Sequence, residues 1–402
     1  MNPPASLPRE VRRLLVPVYL PWGMVTLGAG ILLPIFPVYL EEQGLRLSLI
    51  GLVTAAGGIG LALGGLPASS FAERRGTDKL LAIGVVLCAI TTALLGISSA
   101  VIVLVVLRIA WGTGFTSITQ SRQVLVARTV AVGMRGRVNS LVGGMHRLTY
   151  VVGPIVGGFT YDRFGANATF GLAGGLTLLG TLPLVLPGGR DPHPIAERAD
   201  RISVRDSLWR HRRLLLVASL GPLLVSSARD GRNIVVPLIG DDLQLDAAAI
   251  GLLVAVGTAA DFLLFPVSGW LMDRRGRLAC MVPAFSLMAI GLIVLSMADT
   301  VAVAVVAGIV MGIGNGLSSG TMLTLSTDMA PPDEPGPFIA GFHTLSGIGH
   351  IVGPLIVGWV ADTIGLSASA FVLAIVLLTG VLWIALVIGE TSRQDDRRTV
   401  AR

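Results

Sequence analysis

Gly269-Trp270-Leu271-Met272-Asp273-Arg274-Arg275-Gly276-Arg277 sets an acid, paired arginines and a glycine between two long apolar runs. Two hundred residues earlier the chain reads Ser69-Ser70-Phe71-Ala72-Glu73-Arg74-Arg75-Gly76-Thr77, the same loop with a changed lead residue and a changed acid. The same offset, without a gap, pairs Gly153-Pro154 with Gly353-Pro354, Pro37 with Pro237, Gly57 with Gly257, Gly112 with Gly312, Gly114 with Gly314 and Asp162 with Asp362. A chain of 402 residues that matches itself at half its length is a duplicated module.

Composition says where that module sits. Hydrophobic residues make up 53% of the chain and charged residues 13%, with a mean hydropathy of +0.78. A soluble domain carries about 25% charged residues, so a large soluble enzyme is a poor reading. Apolar runs near the roughly 20 residues needed to cross a bilayer fall at about 14–40, 47–71, 80–98, 101–127, 138–160, 168–187, 214–240, 247–270, 279–297, 300–327, 338–360 and 366–389. This predicts an all-α membrane protein of twelve spans in two pseudo-symmetric six-helix bundles. An even number of crossings per half relates the halves by an axis along the membrane normal. The bundles are expected over 1–187 and 213–402, joined by a cytosolic linker at 188–212 with a short helix on the membrane surface near Ile202, Leu208 and Trp209. The first span is longer than a signal-peptide core, lacks a small-residue cleavage site and is expected to be retained. Cys88 and Cys280 lie inside spans, which suggests neither a disulfide nor a metal site. No cofactor is expected.

The formal charge of +6 is placed asymmetrically. With the N-terminus in the cytosol, 23 of the 30 Lys and Arg fall on cytosolic tails and loops, and two, Arg46 and Arg163, on the other side. That bias predicts a multi-pass inner (plasma) membrane protein with both termini cytosolic, and it accounts for the basic balance without nucleic acid. A monomer is expected. Small residues four apart, Gly60/Gly64, Gly153/Gly157 and Gly349/Gly353, suit close helix packing in lipid.

These motifs resemble the major facilitator superfamily over nearly the whole chain. Gly269 to Arg277 resembles its signature loop between the second and third helices of a half; the first-half copy has Ser69 for the leading Gly and Glu73 for the acid. Arg108-Ile-Ala-Trp-Gly112-Thr-Gly114 resembles its fourth-helix motif. Gly153-Pro154-Ile-Val-Gly157-Gly158 resembles the fifth-helix motif of its drug:proton antiporter branch, with Thr149 where that motif has a preceding Gly. The resemblance implies that Glu73, Arg74, Gly76, Gly269, Asp273, Arg274, Gly276 and Arg277 form a conformational lock. It also implies that Gly153, Pro154, Gly157, Gly158, Gly353 and Pro354 form a helix-packing motif, and that every third helix is peripheral to a central cavity.

Charges inside a bilayer are costly and mark function or a partner. None falls in spans 3, 6, 9 and 12. Span 7 carries Arg229-Asp230-Gly231-Arg232-Asn233 where its first-half counterpart reads Ala29-Gly30-Ile31-Leu32-Leu33, so duplication does not explain the patch. Arg229, Arg232 and Asn233 share a helical face, and Gly231 is expected to weaken the helix there. Asp261 lies about midway along span 8, roughly 15 Å from either end, where a carboxylate must be protonated or paired. Arg229 and Arg232 are its expected partners by depth. Span 4 carries a stripe of Arg108, Gly112, Phe115, Thr119 and Arg122; span 11 carries His343 and His350 on one face. Arg122 and Arg147 are expected to snorkel toward the inner surface. Proton coupling is assigned to Asp261 and Asp230, and the substrate cavity to Arg108, Phe115, Arg229, Arg232, Asn233 and His350.

The expected function is a secondary active transporter exporting a small organic molecule against proton entry by alternating access. Its partners are that substrate, protons and the bilayer. A flippase of the same fold, or a non-transporting membrane receptor, is the alternative. An ATP-driven pump is disfavoured because no Gly-x-x-x-x-Gly-Lys-Ser/Thr loop occurs and Lys79 is the sole lysine. No catalytic grouping lies outside the spans, so no enzyme is expected. Intramembrane Arg outnumber intramembrane Asp, and the first span has no acid in its core, which favours a neutral or anionic amphiphile.

Overall fold

The computed structural model describes residues 19–130, 132–185 and 208–391. Within them the chain is helical almost throughout. The first half contains α1 (Leu20–Glu42), α2 (Leu47–Arg75), α3 (Thr77–Leu95) and α4 (Val101–Thr129), then α5 (132–164) and α6 (166–179, resuming at Leu182–Val185). The second half repeats the order: α7 (Arg212–Asp242), α8 (Ala247–Arg275), α9 (Arg277–Ser296), α10 (Val301–Leu317, continued by Thr321–Asp328), α11 (Pro335–Gly347, continued by Gly349–Thr363) and α12 (Leu366–Trp383, ending in a π turn to Ile388).

Ten of these segments are long and apolar enough to cross a membrane. The other two are α5, diluted by His146 and Arg147, and α6, whose first piece spans only ~21 Å at 1.5 Å per residue. Twelve crossings fit the architecture. α5 and α6 meet at Gly165, whose φ of 77° breaks the helix where a side chain would strain the backbone. The signature glycines act likewise: Gly76 (φ 95°) and Gly276 (φ 92°) turn α2 into α3 and α8 into α9 with no intervening loop.

α1 packs on α5 and α2 on α4 in one half; α7 packs on α11 and α12, and α8 on α10, in the other. The halves meet along α5 with α8 and α2 with α11. α3, α6, α9 and α12 turn large apolar side chains outward, among them Ile90, Leu178, Ile290 and Leu382. Exposure of that kind on a whole surface requires lipid.

Three local expectations are corrected. α7 runs unbroken through Gly231, because Leu373 and Val357 pack into the space its missing side chain leaves. The breaks lie elsewhere: α10 is interrupted over Ser318–Gly320, with Gly320 at φ 76°, and α11 shifts at Ile348. α5 begins at 132 rather than 138, which places Arg147 near its middle. Most of the linker expected at 188–212, with Ile202, lies outside the described residues, as do the tails. Its last residues are anchored, since Arg210 and His211 pair with Glu334 at 3.2 and 3.7 Å and Leu208 packs on Gly341.

Candidate functional site

The packing motif lies on the seam between the halves, at the end opposite the signature loops. A Cβ on Gly51 of α2 would approach Gly358 Cα of α11 to 3.1 Å; one on Gly251 of α8 would approach Gly158 Cα of α5 to 3.3 Å. The carbonyls of Pro354 and Pro154 sit closer still at the same two points. All six residues are repeat mates, so the seam is two-fold. Gly153 and Gly157 instead admit α1, at Gly30 and Ile31, and Gly353 admits α7 at Ser227. Thr149, the departure from the family motif, donates to His146 O at 2.8 Å and to Thr26 of α1 at 3.0 Å.

Each seam ends in a carboxylate over the other half's helix N-terminus. Asp162 accepts from the Ala247 and Ala248 N–H groups at 3.0 and 2.8 Å, and Asp362 accepts from Ser48 N–H at 3.0 Å. An acid there satisfies free N–H groups and complements the helix dipole. The repeat had paired Asp162 with Asp362; only the fold shows what the pair does.

Nearer mid-depth, a charge pair crosses the α5–α8 seam. Arg147 Nε–H donates to Asp261 Oδ1 at 3.3 Å, its Nη2 donates to Ser319 Oγ at 2.7 Å, and Asn315 Nδ2 donates to Asp261 Oδ2 at 2.9 Å. Asp261 is 8% exposed, so its charge depends on these partners. The expectation that Arg229 and Arg232 hold Asp261 is therefore corrected, as is the snorkelling of Arg147: with α5 extended, its side chain turns across the seam. Arg229 donates instead to Ser318 Oγ at 2.5 Å. The broken turn of α10 thus receives an arginine from each half. Arg147, Arg229, Asp230, Arg232, Asn233, Asn315, Ser318–Gly320 and His343 line a vestibule of about 440 Å³.

Beyond it lies a chamber of about 430 Å³, lined by Phe36, Thr54, Gly57, Arg108, Trp111, Phe115, His146, Tyr150, Asp230, Asn233 and His350 among others. Asp230 and Asn233 border both spaces. Asp230 pairs with His350 across α7 and α11 rather than with the flanking arginines. The Arg108 guanidinium lies 4.9 Å from the ring centroids of both Phe36 and Trp111. The span 4 stripe divides: Arg108 and Phe115 face the chamber and Gly112 packs on Gly57 and Gly60. Thr119 bonds its own helix at Phe115 O, while Arg122 covers Trp22 at 4.4 Å instead of snorkelling.

The Major Facilitator Superfamily profile matches the chain twice, over residues 23–229 and 219–401. The chain belongs to the major facilitator superfamily. It is a transporter, not an enzyme. An uncharacterised transporter of this superfamily from Methanocaldococcus jannaschii is 19% identical over 348 residues, 85% of this chain and 89% of that protein. The quinolone resistance protein NorA of Staphylococcus aureus is 23% identical over 156 residues, 39% of this chain and 40% of its own. The nucleoside transporter NupG shares the fold at a TM-score of 0.79 and 11% identity, covering 93% of this chain and 99% of its own. A bacterial homologue of the lysosomal transporter Spinster, inward-facing and occupied, shares it at 0.75 and 15% identity, covering 97% and 98%.

The superfamily's signature loops stand apart in this conformation. Glu73, Arg74, Asp273 and Arg274 are exposed, and nothing lies within 4 Å of a Cβ placed on Gly269. Gly76 and Gly276 make their turns within their own halves. Arg277 is held in its half by Asp328 at 2.7 Å, and Glu390 accepts from the Arg277 and Leu278 N–H groups at 2.9 Å. Sequence reasoning passed over Asn315, Ser319, Trp111 and Trp22. Ser318-Ser319-Gly320 inside an apolar run was a legible break signal, and so was Trp111 at helical spacing from Arg108 and Phe115; Trp22 carried none, since its partners come from other helices.

Proposed function

We propose that this superfamily transporter exports a small neutral or anionic amphiphile by alternating access, driven by proton entry through Asp261. The carrying observation is the Arg147–Asp261 bridge across the α5–α8 seam, with side chains 19% and 12% exposed. Ionised Asp261 ties the halves together beside the vestibule. Protonation removes its charge, leaves Arg147 with Ser319 alone and loosens the seam where the halves must slide. Breaking a pair this buried costs about 3–5 kcal/mol, enough to move a two-state equilibrium across most of its range. With the signature loops cytosolic, as cation placement indicates, the conformation is inward-facing. Glu73, Arg74, Gly76, Gly269, Asp273, Arg274, Gly276 and Arg277 then form the lock of the opposite state. Arg108, Phe115, Arg229, Arg232, Asn233 and His350 face the substrate's path, and Asp230, paired with His350, stands between vestibule and chamber.

The test uses full-length protein in proteoliposomes, with an imposed pH gradient and an anionic dye, a neutral dye, a cationic dye and a labelled phospholipid as cargo. Proton-gradient-driven movement of the anionic or neutral dye is expected. Asp261→Asn should abolish net movement while leaving gradient-independent exchange intact. A normal gradient response in Asp261→Asn moves coupling elsewhere, with Asp230–His350 next. Transport of the phospholipid alone replaces export with lipid flipping.

A further inference from the structure

We infer that the chamber beside α4 binds a planar aromatic anion, an arene carboxylate, with its carboxylate on Arg108 and its ring against Trp111 and Phe115. The inference rests on the transport reading above for its purpose, but on chamber geometry for its content.

Arg108 is presented in an unusual way. Two aromatic rings lie beside its guanidinium, Phe36 and Trp111, each centroid 4.9 Å from Cζ. A guanidinium with aromatic contacts on its faces presents its edge, where all five N–H donors lie. Gly57 opens the slot: a Cβ there would come within 2.9 Å of Nη2. Arg108 Nε is buried and has no hydrogen-bond partner, and Arg108 makes no ion pair among the described residues. It stays charged in a protein, so it is a half-buried cation whose donors meet no acceptor among the described residues.

Other unpartnered polar atoms lie along the same chamber. Thr54 Oγ1 and His146 Nδ1 on the chamber wall, and Trp22 Nε1 behind it, are buried without partners. Buried polar groups are normally satisfied; the Thr54 hydroxyl and His146 Nδ1 can each donate to a ligand acceptor, as Arg108 Nε must. The one carboxylate on the wall, Asp230, is engaged by His350. A cation would have to displace that histidine and settle in the field of Arg108, whereas an anion meets a guanidinium that no carboxylate among the described residues bridges.

The remaining wall joins aliphatic residues, among them Leu32, Leu61 and Ile234, to an aromatic group. Trp111 and Phe115 stack at 5.2 Å with 24° between planes, Trp22 leans on Phe115 at 5.5 Å, and Tyr150 lies 4.4 Å from His146. Flat rings favour a flat ligand through offset stacking. A planar carboxylate can meet the guanidinium edge in its own plane through two parallel hydrogen bonds. About 430 Å³ falls within the roughly 300–1,000 Å³ of small-molecule sites.

The experiment is equilibrium binding to full-length protein in detergent at constant pH, followed by calorimetry. The ligands are 1-naphthoate, its neutral amide 1-naphthamide, its saturated counterpart decahydro-1-naphthoate, and tetraphenylphosphonium. Naphthoate should bind at least tenfold more tightly than the amide and the saturated acid. Arg108→Gln should erase the preference for acid over amide, and Trp111→Leu the preference for the arene over its saturated form. Arg108→Lys should recover only part, because a compact ammonium cannot reproduce the bidentate edge. Equal binding of amide and acid overturns the anion assignment, and equal binding of arene and saturated acid overturns the aromatic one. Tetraphenylphosphonium as the only tight ligand overturns both. The wild-type series decides even if a variant misfolds. No proton gradient is involved, so naphthoate binding without proton-driven flux would refute the coupling reading alone, and flux of other cargo without naphthoate binding would refute this one alone.

Discussion

The two ends of the bundle are closed and open by different chemistry. At the end away from the signature loops, backbone meets backbone at Gly51–Gly358 and Gly251–Gly158, and Asp162 and Asp362 cap the facing helices. At the loop end the charges are just as dense, yet Glu73 and Asp273 pair with no group of the other half among the described residues, and Arg277 is taken up by Asp328 within its own. The closed end depends on shape first and charge second. A helix cap contributes about 1 kcal/mol, whereas a methyl group forced into the glycine seam must move whole helices. Exposed loop charges contribute less, because water screens them until the halves meet.

The largest effect should therefore come from the seam. Gly251→Leu, with spin labels on Gln43 and Gln244 and both native cysteines replaced, should lengthen the interlabel distance and cut transport by more than tenfold. An unchanged distance would mean that the seam yields by local adjustment and that shape does not hold this end.

The caps should come next, and unequally. The N-terminus of α8 has a second acid, its own Asp246, which accepts from Ala249 N–H at 2.8 Å; α2 begins after Arg46 with no side-chain cap. Asp362→Asn should shift the equilibrium toward opening about fivefold and Asp162→Asn less, by the roughly 1 kcal/mol scale of a cap. Equal effects would show that the dipole at α8 is not shared between two acids.

The smallest effect in this conformation belongs to the loop. Asp273→Asn should leave the Gln43–Gln244 distance unchanged and stability within about 0.5 kcal/mol of the parent. Between labels on Arg75 and Arg275 it should reduce the population in which the loop end is closed. A change at both pairs of labels would tie the two ends more tightly than separate contacts allow.

How far the site could be read without coordinates depended on whether its chemistry was local. The charge-free third helices, the repeat and the signature turns are local properties, and they appear in the fold where the residues put them. Arg108, Asp230 and Asp261 were visible because a charge in an apolar run is conspicuous by itself. Their partners were not. A start of α5 at 138 makes Arg147 a surface-seeking cation, and depth alone offers Arg229 and Arg232 to Asp261. Hydropathy gives depth but not azimuth, so it cannot say which helix a side chain will face.

The sequence by itself determined a duplicated, lipid-embedded helical chain, because periodicity, hydropathy and glycine turns are written along one dimension; its motifs carried the resemblance to the major facilitator superfamily. Tertiary structure alone decided that Asp261 answers to Arg147 and Asp230 to His350. It also decided that Phe36 and Trp111 flank Arg108, and that Asp162 and Asp362 fasten one end of the bundle. Apart from Arg108–Trp111, three apart on α4, these contacts join residues on different helices, most of them far apart in the chain, and the rotation of one helix against another is settled only when all of them pack together.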